Sequence, residues 1–216
     1  MTITLASVMV IAKEPVAGRV KTRLTVAITP EQAAAVAAAA IRDTLDAMSM
    51  VPAHRHVLAL DGEAGEWVPA GWSVVAQPEG GLDRRLATVI GGLPPGPCLL
   101  VGMDTPQVTP SMCGFDPNSY DACLGMATDG GYWAIGFADP AMAPEVIEGV
   151  PMSTDHTGAD QLARMLHAGL RVQELAPLLD VDTPEDAAQV AALVPASAFA
   201  GAWTTAMAAT AAGADV

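Results

Sequence analysis

An α/β architecture with a mostly parallel central sheet follows from three observations on this 216-residue chain. Short apolar runs alternate with helix-patterned segments, which is how parallel strands joined by crossover helices read. The first run, Val8-Met9-Val10-Ile11-Ala12, breaks into a Pro- and Gly-bearing loop that carries Lys13, Arg19, Lys21 and Arg23. Later runs end on aspartates at Asp104 and Asp182, and the carboxyl edge of such a sheet is where ligands sit.

Strands are expected at 3–12, 54–61, 72–76, 98–103, 121–126, 132–137 and 171–175, read as β-α-β units throughout. Thr29 as N-cap, Pro30 in the first turn and Gln32 closing a capping box open an alanine-rich helix that runs to about Met50. A second helix is expected after Leu82 and a third over 157–168, with Leu162, Met165 and Leu166 as its apolar positions. Thr183 followed by Pro184 repeats the cap and opens a helix to about Leu193. We read residues 1–195 as one domain, with 196–216 as an alanine-rich helix or tail.

Twenty-four acidic against ten basic residues give a formal charge of −14, which argues against a broad nucleic-acid or anionic-membrane surface. No apolar run reaches membrane-spanning length, and residues 3–12 lack the basic flank of a signal peptide. Three cysteines, Cys98, Cys113 and Cys123, fit neither an even disulfide framework nor a Cys-x-x-Cys pair, so a cytoplasmic location is expected, with the thiols as core residues. His54 and His56 lack further ligands at zinc spacing. Positive charge is therefore local: both lysines and two arginines fall within residues 13–23, with no evident structural partner nearby.

Phosphate is the natural ligand of such a loop, and Lys21 and Arg23 are expected to meet it. Asp104 and Asp182 could share one hard divalent cation if their strands end side by side, because Mg²⁺ takes one or two carboxylates beside phosphate oxygens. Each aspartate also has a structural reading, as a turn former before Thr-Pro or as a helix cap. Asp129-Gly130-Gly131-Tyr132 either lets a ligand approach the backbone closely or forms a glycine-rich hairpin turn. Gln77 with Gly80 and Gly81 makes a junction suited to a base or ribose, or a plain loop. Ser153-Thr154-Asp155-His156-Thr157 could face an acceptor, or simply cap a helix through Thr157.

Taken in order, Ala12-Lys13-x-Pro15-x-x-Gly18-x-Val20-Lys21-Thr22-Arg23-Leu24, Gly102-x-Asp104-x-Pro106, Asp129-Gly130-Gly131-Tyr132 and Asp180-Val181-Asp182-Thr183-Pro184-x-Asp186 resemble a bacterial transferase family, domain of unknown function 2064. That family has the glycosyltransferase-A fold and is often labelled as radical-SAM- or selenodomain-associated. The stretches Lys21 to Leu24 and Asp180 to Pro184 are also similar to guanylyltransferases acting on phospholactate or phosphoenolpyruvate. Where the family shows Gly-Asp-Leu-Gly, this chain reads Gly80-Gly81-Leu82-Asp83, a departure that bears on base or acceptor choice.

The resemblance implies a three-layer α/β/α nucleotide-diphospho-sugar transferase fold and a Mg²⁺- or Mn²⁺-dependent transferase. Its nucleotide site would comprise Ala12, Lys13, Gly18, Lys21, Thr22, Arg23, Gln77, Gly80 and Gly81, and its metal site Asp104 and Asp182. Asp104, Asp129 and Lys21 would carry catalysis, with Asp129 toward the acceptor. The expected partners are a nucleoside triphosphate and a small phosphorylated or hydroxyl acceptor, or alternatively a nucleotide-diphosphate sugar, with a non-catalytic nucleotide-binding module as a third reading; monomer and homodimer are both compatible.

Overall fold

The structure, a computed structural model, describes residues 3–213. Seven strands form one twisted sheet: β1 (Ser7–Lys13), β2 (His56–Asp61), β3 (Trp72–Ala76), β4 (Cys98–Gly102), β5 (Ala122–Ala127), β6 (Tyr132–Phe137) and β7 (Val172–Leu178), in the spatial order β3-β2-β1-β4-β6-β5-β7. β1 pairs in parallel with β2 and β4, β2 with β3, and β5 with β7. Only β6 runs against its neighbours, β4 and β5.

That reversal corrects the expectation of β-α-β units throughout. Only Thr128 to Gly131 separate β5 from β6, too few residues for a crossover, so the chain must turn back as a hairpin. The first strand begins at Ser7 rather than residue 3, because Leu5 makes only an isolated bridge to Ala53.

Both faces of the sheet are covered, which is why its central strands read as near-continuous apolar runs. On one face Val8, Val10, Leu58, Leu60, Leu99 and Val101 pack under Ala37, Ile41, Leu45 and Met48 of helix α1 (Pro30–Ser49). On the other, Met9, Val57, Ala59 and Leu100 meet α2 (Leu82–Gly91), α3 (Ala143–Ile147) and α4 (Thr157–His167). Cys98, Cys113 and Cys123 are free and buried, and burial pushes the thiols of Cys98 and Cys113 up to about 12.

The alanine richness of α1 has a structural cause. Its back face, Ala33, Val36 and Ala40, packs against α5 (Pro184–Leu193) and α6 (Ala198–Gly213), and small side chains let the helices approach. Phe199 and Trp203 of α6 are buried there, while Asp43 of α1 accepts the backbone N–H groups of Ala198 and Phe199 at 3.1 and 2.7 Å and so caps α6. Residues 214–216 lie outside the described chain.

Candidate active site

Six strands end at one edge of the sheet and β6 begins there, so their loops converge on a cleft of about 650 Å³. Leu100 and Trp133 give it an apolar floor, and its walls carry opposite charges.

The basic wall is the loop after β1. Gly18 turns the chain with a φ of 78°, and a short 3₁₀ helix, Thr22–Val26, follows, anchored by the fully buried Leu24. Lys21 precedes it in the left-handed region, φ 47° and ψ 39°, which a lysine adopts only when its surroundings hold it there. The hold is visible: its side chain is 4% exposed, and the ammonium bonds Asp104 Oδ1 and the Val181 carbonyl and lies 3.9 Å from Asp182 Oδ1. Arg23, 73% exposed, donates to Asp182 Oδ2 at 2.7 Å.

The basic cluster is therefore not without partners, as local sequence suggested. Its partners are about 80 to 160 residues away, and tertiary stitching delivers them. The Val181 N–H donates to the Asp104 carbonyl at 2.9 Å, and Gln107 Nε2 to the Leu179 carbonyl at 2.7 Å, clamping the loop after β4 to the loop after β7. Asp104 and Asp182 are brought to one spot by that clamp. Lys13 and Arg19 also line the cleft and make no ion pair among the described residues.

Of the other residues singled out from sequence, Ala12, Thr22, Gln77 and Asp129 line the cleft, whereas Gly18, Gly80 and Gly81 do not. Gln77 is heavily engaged: Nε2 donates to the Ala12 and Ala59 carbonyls at 2.8 and 3.0 Å, bridging β1 and β2. Its Oε1 accepts from Arg85 at 3.0 Å. Gly81 is the N-cap residue of α2. Asp186 is occupied at the N-terminus of α5, accepting from the Thr183 N–H at 2.8 Å in the capping box.

Two residues of consequence escaped the sequence reading. Asp180 lies between the carboxylates, and burial, then Asp104 and Asp129, with a smaller push from Asp182, raise it to about 7 against the pull of Lys21. One of its oxygens, Oδ1, is buried without a partner among the described residues. Arg85 lines the cleft and reaches Asp61 Oδ2 at 3.5 Å; a basic residue one turn into a helix that starts at the sheet edge was the only available signal.

The opposite wall belongs to the β5–β6 turn and to residues 152–157. Asp129 Oδ1 accepts the Gly131 N–H at 2.8 Å, which orients the carboxylate within the hairpin. Gly130, with φ 94°, lies so close to the segment before α4 that an added Cβ would run into the Asp155 carbonyl. Gly158 N–H donates to the Gly130 carbonyl at 2.8 Å, so the turn and α4 are locked together.

Three layers around a seven-stranded mostly parallel sheet match the fold of the nucleotide-diphospho-sugar transferases. The chain belongs to the family described as "Uncharacterized protein conserved in bacteria (DUF2064)", whose model matches residues 14–154. A solved structure from Desulfovibrio desulfuricans G20, described as a putative nucleotide-diphospho-sugar transferase, is 25% identical with a TM-score of 0.75, covering 83% of each chain. The 4-diphosphocytidyl-2C-methyl-D-erythritol synthase of Anaerococcus prevotii DSM 20548 has a TM-score of 0.60 at 12% identity, covering 89% of this chain and 96% of its own. The 2-C-methyl-D-erythritol 4-phosphate cytidylyltransferase of Thermus thermophilus gives 0.53 at 16%, covering 90% of this chain and 100% of its own; both share the fold. Among curated proteins none matches the chain in sequence. No described helix is long and apolar enough to cross a membrane.

Proposed function

We propose that the protein is a nucleotide-utilising transferase that moves a nucleotidyl group from a nucleoside triphosphate to a small acceptor, assisted by Mg²⁺ or Mn²⁺. The observation that carries this reading is the Lys21 ammonium held between Asp104 and Asp182, beside the unpaired charges of Lys13 and Arg19. Four basic side chains on one wall suit a triphosphate, which needs more neutralisation than a diphosphate sugar.

The residues fit a hard divalent cation. Carboxylate oxygens are its preferred donors, and the orphaned Asp180 Oδ1, on a carboxyl raised by its acidic neighbours, marks a spot short of positive charge. No group of three or more ligand side chains is preassembled among the described residues, which accords with an ion held by Asp104 and Asp182 and completed by phosphate oxygens. When bound, the ion would neutralise those oxygens.

The chain's own groups do the rest. Lys13, Arg19, Lys21 and Arg23 hold the polyphosphate, and Leu100 and Trp133 supply a dry floor. An acceptor hydroxyl oxygen forms a bond to the α-phosphorus while the bond from that phosphorus to the α,β-bridging oxygen breaks. Pyrophosphate leaves with the electron pair, and the hydroxyl proton passes to the Asp129 carboxylate. The similarity to guanylyltransferases, carried by Lys21 to Leu24 and Asp180 to Pro184, supports this reading on the donor side only.

A second reading, glycosyl transfer from a nucleotide-diphosphate sugar, draws on the likeness to the D. desulfuricans protein. It would release a nucleoside diphosphate in place of pyrophosphate. Melting-temperature and calorimetric titrations with the common nucleoside triphosphates and diphosphate sugars, with and without Mg²⁺, test the proposal, since a ligand of the native state raises apparent stability. A triphosphate should bind with Mg²⁺ support that Asp104→Asn weakens; no shift from any nucleotide in either condition would sink it.

A further inference from the structure

We infer that the acceptor is a hydroxyl compound bearing no phosphate or carboxylate, that is, a neutral or cationic alcohol such as a polyol or amino alcohol. The inference rests on the nucleotide-transferase reading and concerns the half of the cleft which that reading leaves for the acceptor.

Charge is partitioned along the sheet. Every basic residue lining the cleft, Lys13, Arg19, Lys21, Arg23 and Arg85, comes from the end of β1, the loop and 3₁₀ helix after it, or α2. The wall built from the β5–β6 turn and residues 152–157 contributes Asp129, Tyr132, Ser153, Thr154 and Asp155, and no lysine, arginine or histidine. His156 is the nearest cation of that wall, and it is already committed: Nδ1 lies 2.8 Å from Asp155 Oδ1 and Nε2 lies 3.7 Å from Asp160 Oδ2. Even protonated, one imidazolium shared by two carboxylates leaves the local charge negative.

A phosphorylated acceptor placed here would meet the exposed Asp129 and Asp155 with nothing to pair it, and like charges so opposed weaken binding, most of all at low salt. The available basic groups are already engaged, Lys13, Arg19, Lys21 and Arg23 by the donor polyphosphate and Arg85 by Gln77 and Asp61. Hydroxyl recognition, by contrast, is well supplied, since a carboxylate accepts from alcohol O–H and from ammonium N–H.

The wall is also built for presentation and not merely for closure. Ser153 holds a left-handed φ of 59°, a strained state for serine that places it on the cleft lining. The turn beneath is fixed by Thr157, whose hydroxyl donates to the Pro151 carbonyl at 2.9 Å and whose Oγ1 accepts the Thr154 N–H at 3.0 Å. Gly130 and Gly158 then press the two segments together, setting Asp129 beside residues 153–155.

The test uses the full chain with Mg²⁺ and α,β-methylene analogues of the four common nucleoside triphosphates, which occupy the donor site without transfer. A rise in melting temperature with one of them establishes donor binding; its absence removes the nucleotidyl-transfer reading on which the inference rests. The loaded protein is then titrated, by saturation-transfer NMR, with matched pairs: glycerol and glycerol 3-phosphate, inositol and inositol 1-phosphate, glucose and glucose 1-phosphate, with glucosamine added. We expect an alcohol or amino alcohol to bind and its phosphate ester to bind more weakly by on the order of tenfold or more at low salt. That gap should narrow in Asp155→Asn and at high ionic strength, where exposed charges are screened. A phosphate ester bound as tightly as its parent alcohol, or no member of any pair bound to the nucleotide-loaded protein, overturns the inference.

Discussion

Lys21 and Asp129 face the same cleft from opposite walls, yet they are held in different ways. The lysine is nearly buried, strained in its backbone and tied to Asp104, Val181 and Asp182 across the sheet. The aspartate is exposed and bonded to the amide two residues ahead. One wall is therefore set by long-range charge pairing and the other by local turn geometry and glycine packing. The difference teaches where each is vulnerable: the basic wall, proposed for the donor, to loss of charge, and the turn wall, proposed for the acceptor, to added bulk.

The largest effect should come from removing Asp129, the base proposed for the acceptor side. Asp129→Ala is expected to lower kcat by about 10²-fold or more while nucleotide affinity moves little, as befits a proton acceptor in the transition state. Steady-state kinetics beside nucleotide titration checks this, and equal losses in both would transfer Asp129 to the donor side.

Next in size, Gly130→Ala adds a methyl where the Asp155 carbonyl lies and asks alanine for a φ of 94°. Strain and overpacking together should cost about 2–4 kcal/mol in denaturant unfolding. Gly18→Ala offers the contrast, because its Cβ meets open space and only the left-handed φ is penalised. Similar losses at both positions would mean that the acceptor wall is not held by that packing.

Lys21→Met tests the donor wall. It leaves Asp104 and Asp182 without the ammonium between them, a loss of charge-assisted bonds worth about 1.5–3 kcal/mol in the metal-free protein. Mg²⁺ should then stabilise the variant more than the wild type, by supplying the missing charge, while nucleotide affinity falls roughly tenfold or more. Unfolding curves in chelator and in Mg²⁺ decide the point, and an identical Mg²⁺ response in both proteins would contradict it.

The smallest effect belongs at the opposite edge of the sheet. Asp121 is held by Arg171 through two bonds of 2.9 Å, and that guanidinium, aided by the Arg171 N–H, draws the carboxyl down to about 2. A lowered value means its contribution is present above the ordinary aspartate range, near 4, and is lost as pH falls toward 2. The pair is exposed, so Asp121→Asn should shift the melting midpoint only slightly at pH 7 and by still less at pH 2. A large shift at neutral pH would show that this pair is worth far more than an exposed one should be.

These expectations trace what was legible in the chain. All seven strands fall at their expected places, six of them as largely apolar runs, while β7 reads Val-Gln-Glu-Leu-Ala-Pro-Leu and runs three residues past its expected end. The Thr29 and Thr183 caps with Pro30 and Pro184 mark two helix starts that the structure reproduces with complete capping boxes. The loop of Lys13 to Arg23 and the aspartates at 104, 129 and 182 all stand on the cleft. Burial, periodicity and capping are properties of neighbouring residues, and for that reason they can be read from the order of residues alone.

Other features depend on which distant segments meet. The hairpin at Asp129 to Gly131 is one of two readings open in the sequence, but the insertion of the reversed β6 between β4 and β5 is not. Lys21 looked unpaired because its carboxylates lie 83 and 161 positions away, brought in by the clamp between the loops after β4 and β7. Asp180 looks like any aspartate in a turn until burial and three other carboxylates close around it. Local chemistry determined the elements and the residue types at their ends, whereas charge pairing, desolvation and the division of the cleft into basic and acidic walls exist only once the sheet has assembled, because each depends on through-space distance and not on sequence separation.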